Sequence, residues 1–334
     1  MTSPRKYTVY DVAEKAGVSI ATVSRVLNSP EQVREETRLK VLTTIDELGF
    51  EPKADASARA RKILGRIGVI TPFFTHPSFV QRMRGIATVL ADTPYEMVIY
   101  PVESLDRLDG YLASLTITRR VDGLILISLP LDDTSAQRLQ RHQLETVIIE
   151  GCHTDFSAVQ IDDYHGGLLA ASYLFKQGYS RFAFLGPGEL PAYSLHPEDK
   201  RLAGYQFALE EHGIPLPDEY IRYPAVSHPD VNDEITQWIN LPEPPNAVFA
   251  ASDDLAIRLL RAAREHGLKV PENLAIIGFD DIDMAEHIGL TTINQSLDES
   301  GRMAAEQLLA RLGNSTRPIQ RIQIGLNVIP RETA

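Results

Sequence analysis

At 334 residues with 43% apolar side chains, the chain is long enough to bury more than one core and is expected to divide into domains. It has no apolar run near the ~18 residues of a membrane helix, no apolar run of signal-peptide type in its first twenty residues, one cysteine (Cys152) without a disulfide partner and no cysteine–histidine cluster at metal-ligand spacing; the expectation is a cytoplasmic protein without a metal. The net charge of −12 argues against nucleic acid on average, yet residues 1–65 hold 11 Lys and Arg against 9 Asp and Glu while the remainder holds 22 against 36, so an acidic body carries a mildly basic head.

Residues 8–50 read as compact and helical. Val12, Ala13, Ala16, Val18, Val23, Val26, Leu27, Val41, Leu42, Ile45 and Leu48 recur at helical spacing, interrupted at Gly17 and at Asn28-Ser29-Pro30. Within them, residues 9–28 (VYDVAEKAGVSIATVSRVLN) have the form helix, tight turn, helix. Gly17 supplies a left-handed turn residue, and Ser19 stands where its hydroxyl caps the second helix. That helix turns Val23 and Val26 inward and Ile20, Ala21, Thr22, Ser24 and Arg25 outward. Such a set suits a DNA major groove, with Arg25 able to grip guanine through two hydrogen bonds and the hydroxyls placed for phosphates.

Lys53 to Lys62 is polar, rich in Ala and Arg, and reads as a linker that becomes helical only with outside support. From Ile67 the pattern changes to short β-branched runs (IGVI, EMVIY, VDGLILIS, ETVIIE, AVQI, RFAFLG, AVFAA, LAIIGFD) alternating with helical stretches at 79–91, 165–177, 200–212, 254–266 and 298–312. This alternation predicts an α/β body with parallel sheets covered on both faces. Ligands of such sheets bind at the carboxyl ends of the strands, which singles out Phe73, Phe79, Ser128, Glu150, Asp162, Asp163, Asp253, Asp254, Asp280 and Asp281, with Arg201 opening a helix and Gln295 following LTTIN. Carboxylates, a guanidinium fork and aromatic rings together suit a sugar.

The twenty residues of the helix-turn-helix resemble the head of the lactose-repressor (LacI/GalR) family, and the similarity runs through the whole chain. The resemblance implies an N-terminal all-α head (1–52), a hinge (53–65) and a two-lobed body like a periplasmic binding protein (66–334), with lobes at 66–162 plus 294–322 and 163–293 plus 323–334. It implies that Ile20 and Ala21 select operator sequence, that Thr8, Ser19, Thr22, Ser24, Asn28 and Thr37 contact the DNA backbone, and that Arg201 and Asp253 grip effector hydroxyls. Glu150 stands where a shorter acid is common, Phe73 where an acid is usual, and Asp280 and Asp281 belong to the GFDD motif. At the hinge position where the family places an intercalating leucine this chain has Arg59, which enters a narrow minor groove with Arg61 or belongs to a flexible tether.

The expected function is a homodimeric regulator on palindromic operator DNA, most simply a repressor, whose affinity is set by a small ligand in the cleft of the body. A periplasmic sugar-binding protein shares the body but has no use for residues 8–50. An α/β enzyme is disfavoured because no G-x-S-x-G, phosphate-cradling or metal motif is present, so no cofactor is expected.

Overall fold

The computed structural model describes residues 7–28, 32–50, 65–224 and 231–334. The head consists of α1 (Val9–Ala16), α2 (Ile20–Asn28) and α3 (Glu35–Leu48). Thr8 and Asp11 form a reciprocal capping box on α1, and Gly17 ends that helix at φ 62°, a conformation that costs glycine nothing. Gly49 ends α3 in the same way at φ 61°. Val12, Ala16, Val23, Val26, Val41 and Ile45 are all fully buried and form the head's core.

The rest of the chain alternates strand and helix. The strands are β1 (Gly65–Thr71), β2 (Tyr95–Pro101), β3 (Gly123–Ile127), β4 (Glu145–Ile149), β5 (Ser157–Gln160), β6 (Phe182–Leu185), β7 (Ile221–Arg222), β8 (Ala247–Ala250), β9 (Ala275–Asp280), β10 (Thr291–Asn294), β11 (Arg321–Gln323) and β12 (Asn327–Ile329). The longer helices are α4 (Pro77–Leu90), α5 (Leu105–Thr118), α6 (Asp133–Arg141), α7 (Asp163–Lys176), α8 (Pro197–Glu211), α9 (Asn232–Ile239), α10 (Asp253–Glu265) and α12 (Leu297–Gly313), with a short α11 (Asp283–His287). One sheet has the order β11-β5-β4-β3-β1-β2 and the other β12-β10-β9-β8-β6-β7. The pairs β1–β2, β1–β3, β3–β4, β6–β8, β8–β9 and β9–β10 are parallel, and β12 closes its sheet antiparallel to β10. Strands β3, β6, β8 and β9 are buried along their whole length, as expected of parallel strands covered on both faces.

Two compact units emerge. The first comprises residues 1–73, 87–158 and 304–320; the second comprises 74–86, 159–303 and 321–334. The sequence places residues 74–86 with the first body lobe, whereas the structure groups them with the second unit. Backbone approach and polar contacts both tie them there: a Cβ on Gly85 would stand 1.9 Å from the Asp298 carbonyl oxygen and one on Gly301 1.9 Å from that of Arg82, while Gln81 accepts from the Asp283 amide, Arg82 donates to Gln295, and Arg84 forks onto both Asp283 and Asp298. The head falls in the first unit, because α2 and α3 pack against α5.

Inside the second unit α7 and α8 approach until backbone meets backbone. A Cβ on Gly167 would stand 2.0 Å from the Arg201 carbonyl oxygen, and one on Gly204 would stand 1.9 Å from that of Tyr164. Glycine alone permits this reciprocal contact.

Candidate DNA-reading surface and ligand site

On α2 the Ser19 Oγ accepts from the Thr22 amide at 3.1 Å and shares a 2.9 Å hydrogen bond with the Thr22 hydroxyl. The cap therefore forms as the sequence indicates, and it starts the helix where the outward residues begin. Ile20 is 41% exposed, Ala21, Ser24 and Arg25 are exposed, and Thr22 is half-buried. Thr8 has a capping duty of its own, its hydroxyl donating to Asp11 Oδ2 at 2.6 Å. Thr37 is half-buried on the first turn of α3. Arg59, Arg61 and the side chain of Asn28 lie outside the described residues.

The carboxyl ends of the strands carry an unusual backbone. Phe73, Ser128, Glu150, Asp280, Asp281 and Ser296 all have positive φ (45°, 52°, 63°, 123°, 58° and 52°), and each lies at or just beyond the end of β1, β3, β4, β9 or β10. Non-glycine residues in this region are uncommon, cost of order 1–3 kcal/mol each, and concentrate at functional sites. Five of the twelve residues singled out from sequence are among them: Phe73, Ser128, Glu150, Asp280 and Asp281.

In the first unit the structure brings two candidates together, with the Ser128 hydroxyl donating to Glu150 Oε2. Ser128 is buried, Glu150 half-buried, and Phe73 half-buried after β1.

In the second unit Arg201 is 5% exposed and held on three sides. Its Nε donates to Asp163 Oδ1 at 2.9 Å, its Nη1 donates to the Ala251 carbonyl at 2.6 Å, and its guanidinium carbon lies 3.6 Å from the centre of the Phe279 ring. Stacking over an aromatic face keeps the fork planar and desolvated, which strengthens its ion pair. Asp280, next in sequence to Phe279, accepts from Gln295 Nε2, and Gln295 Oε1 accepts from Arg82 Nη2 at 2.8 Å. Gln295 and Arg82 are each 2% exposed, so Gln295 links a buried cation to Asp280 and presents almost no surface. Phe79 lies beside the same arginine, 5.8 Å from ring centre to guanidinium.

Asp253 differs from its expected role. It is fully buried at the start of α10; Oδ1 accepts from the Thr292 hydroxyl at 2.5 Å and Oδ2 from the Ile282 amide at 2.9 Å. Both oxygens thus serve to tie α10 to β10 and to the segment after β9. Burial, followed by the charge of Asp280, pushes its carboxyl well above the ordinary carboxylate range. Asp281 is likewise occupied internally, accepting from Arg331 and Asn294.

Sequence reasoning missed Arg82 and the Phe279 ring. Arg82 shares the inward register of α4 with Phe79, Met83 and Ile86, and a basic residue on an otherwise apolar face is a readable signal. Phe279 gave none, since a phenylalanine inside IIGF reads simply as core. Among the described residues, no group of three or more His, Cys, Asp or Glu could hold a metal ion, and no helix is long and apolar enough to cross a membrane.

Comparison with known proteins gives consistent matches. A model of the bacterial regulatory proteins, lacI family, matches residues 8–53, and a model of the periplasmic binding protein-like domain matches residues 171–334. The HTH-type transcriptional repressor CytR of Escherichia coli is 34% identical over 310 residues, which is 91% of this chain and 89% of that protein. The solved transcriptional regulator CelR–cellobiose complex aligns with a TM-score of 0.70 at 28% identity, covering 98% of this chain and 100% of that one. The lac repressor dimer bound to operator and the anti-inducer ONPF aligns with a TM-score of 0.68 at 26% identity, covering 98% and 99%.

Proposed function

The chain belongs to the lacI family of bacterial regulatory proteins and is a DNA-binding transcription regulator; from that premise we propose that it is a cytoplasmic, dimeric repressor rather than an enzyme, released from or fixed on a palindromic operator by an uncharged sugar-like effector. The observation that carries the DNA half is the capped helix α2, whose exposed residues Ile20, Ala21, Ser24 and Arg25 form one polar-edged surface of the size a major groove admits. Ile20 and Ala21 select the operator sequence and Arg25 grips a guanine. Thr8, Ser19, Thr22, Ser24, Asn28 and Thr37 hold the phosphates, and Arg59 enters the minor groove.

The ligand half rests on Phe73, Ser128 and Glu150 in the first unit and on Phe79, Arg201, Asp253, Asp280 and Gln295 in the second. Two cations of the second unit are already engaged with protein acceptors: Arg201 with Asp163 and a carbonyl, Arg82 with Gln295. With Asp163 and Asp280 in the second unit's set and Glu150 in the first unit's, the charge of each set favours a neutral ligand that donates hydroxyl protons and opposes a phosphate.

The test is a thermal-shift screen of neutral mono- and disaccharides and nucleosides beside their phosphate esters, since a ligand at 100 times its dissociation constant adds about 2.7 kcal/mol of stability. A neutral compound is expected to raise the midpoint in wild type and to lose that effect in Glu150→Gln and Arg201→Lys, with operator selection from a random duplex pool retained. Response only to phosphate esters, or an unchanged response in both variants, refutes the ligand assignment. Failure to enrich any palindrome refutes the operator assignment.

A further inference from the structure

In the first unit the head is seated on the body. Ala113 and Ile117 of α5, each 2% exposed, belong to the same apolar cluster as Val12, Val23, Val41, Leu42 and Ile45 of the head. Beside this seat, Asp46 near the end of α3 accepts from Arg138 on α6 at 3.1 Å (Nε) and 2.9 Å (Nη2), and His142 Nε2 lies 3.5 Å from its other oxygen. The three side chains are only 14%, 19% and 10% exposed, which separates them from the surface ion pairs that contribute little. A second polar contact flanks the seat: Arg38 Nη2 donates to the Asp106 carbonyl at 3.4 Å, and its other terminal nitrogen would stand 3.4 Å from a Cβ on Gly110. Apolar centre, desolvated ion cluster and polar rim are the anatomy of an interface.

We propose that the α5–α6 face is a docking surface for this chain's own head, with α2 and residues 38–50 as its occupant, and that the docked head is in a DNA-ready pose. The seat engages the inward side of α2 and the C-terminal half of α3, while Ile20, Ala21, Ser24 and Arg25 stay exposed. A shift of α5 and α6 therefore reaches the DNA-reading helix through packed side chains, in addition to any route along the connecting chain. Holding the head in one pose before DNA arrives removes part of the ordering cost of binding. The docking stands on the contacts alone; its consequence for DNA rests on the proposed function.

Hydrogen exchange of the full-length protein, followed by mass spectrometry on peptides covering 35–48 and 133–142, tests the docking without DNA or ligand. Asp46→Asn and Arg138→Gln are each expected to speed exchange in both segments at least tenfold, with β9 unchanged. The charge swap Asp46→Arg with Arg138→Asp is expected to restore protection, which a variant that merely melts the head cannot do. Unchanged exchange in both single variants, or a swap no better than the singles, overturns the docking. On an operator obtained by selection, the single variants are expected to bind 3- to 10-fold more weakly and the swap to recover. Faster exchange with unaltered operator affinity overturns the DNA-ready pose, and a wild type with no operator refutes the proposed function while leaving the exchange result to decide the docking.

Discussion

Arg201→Met leaves Asp163 facing a position with no positive charge, in a setting where its side chain is only 14% exposed. It also removes the donor to the Ala251 carbonyl and the cation above the Phe279 ring, while the methionine stem keeps most of the volume. Breaking one side of a buried ion pair costs about 3–5 kcal/mol. Because Asp163 retains some contact with water, the expected loss is about 3–4 kcal/mol. For a domain of 150–250 residues each kcal/mol lowers the melting temperature by about 2–4 °C, so a fall of roughly 6–16 °C is expected. Trp238 is the sole tryptophan and is 1% exposed in the second unit's core, so its fluorescence reports the melting of that unit specifically. The double variant Asp163→Asn with Arg201→Met no longer buries the Asp163 charge without its guanidinium and should recover at least half of the loss. A single variant that melts within 2 °C of wild type, or a double variant no better than the single, refutes the claim that this pair is desolvated and coupled.

Gly204→Ala places a Cβ 1.9 Å from the Tyr164 carbonyl oxygen, forces α7 and α8 apart, and should cost about 1–3 kcal/mol, read as a drop of roughly 2–12 °C in the same fluorescence melt. Asp253 keeps its proton in the folded state above the pH at which the unfolded chain, with an ordinary value of 3.8, has lost it; with more protons bound folded than unfolded, its contribution to stability falls as pH rises from about 4 toward the raised folded value. Asp253→Asn removes that dependence, so its melting temperature relative to wild type should climb between pH 4.5 and 7, and a constant difference would show that Asp253 does not carry the proton. Arg25→Ala should weaken operator binding by about 1–3 kcal/mol, roughly 5- to 140-fold by fluorescence anisotropy, and relax preference at one base pair; an equal loss on random duplex would assign Arg25 to a phosphate instead.

Much of the architecture was readable because the physics was local. Each β-branched run after Ile67 became a strand, since a parallel strand buried on both faces leaves a continuous apolar signature. Gly17 and Ser19 likewise announce a turn and a cap from residue type alone. The helices α5 and α6 escaped for opposite reasons. α5 is buried on several sides, with Leu108, Leu112 and Leu115 on one part of its surface and Ala113 and Ile117 beneath the head, so it shows no clean polar face. α6 has so few apolar residues that it reads as loop. Among the ligand candidates, residue type and position after a strand single out Ser128, Glu150 and Asp280, and position near the start of a helix singles out Arg201. Which atoms remain for a ligand depends on partners distant in sequence: nothing near ASDDLA shows that Thr292 and the Ile282 amide occupy both oxygens of Asp253.

On the proposed ligand assignment, the left-handed residues at the strand ends also bear on how effector preference can change among descendants of this chain. Because φ at Ser128, Glu150 and Asp280 is set by the sheet and its turns, exchanging one short polar side chain for another alters the chemistry displayed while the main chain keeps its course. Bulky β-branched replacements are barred there by the backbone itself. These three positions therefore favour unbranched side chains and glycine, and on the proposed ligand assignment a new effector is reached by exchanging such residues with the scaffold left intact.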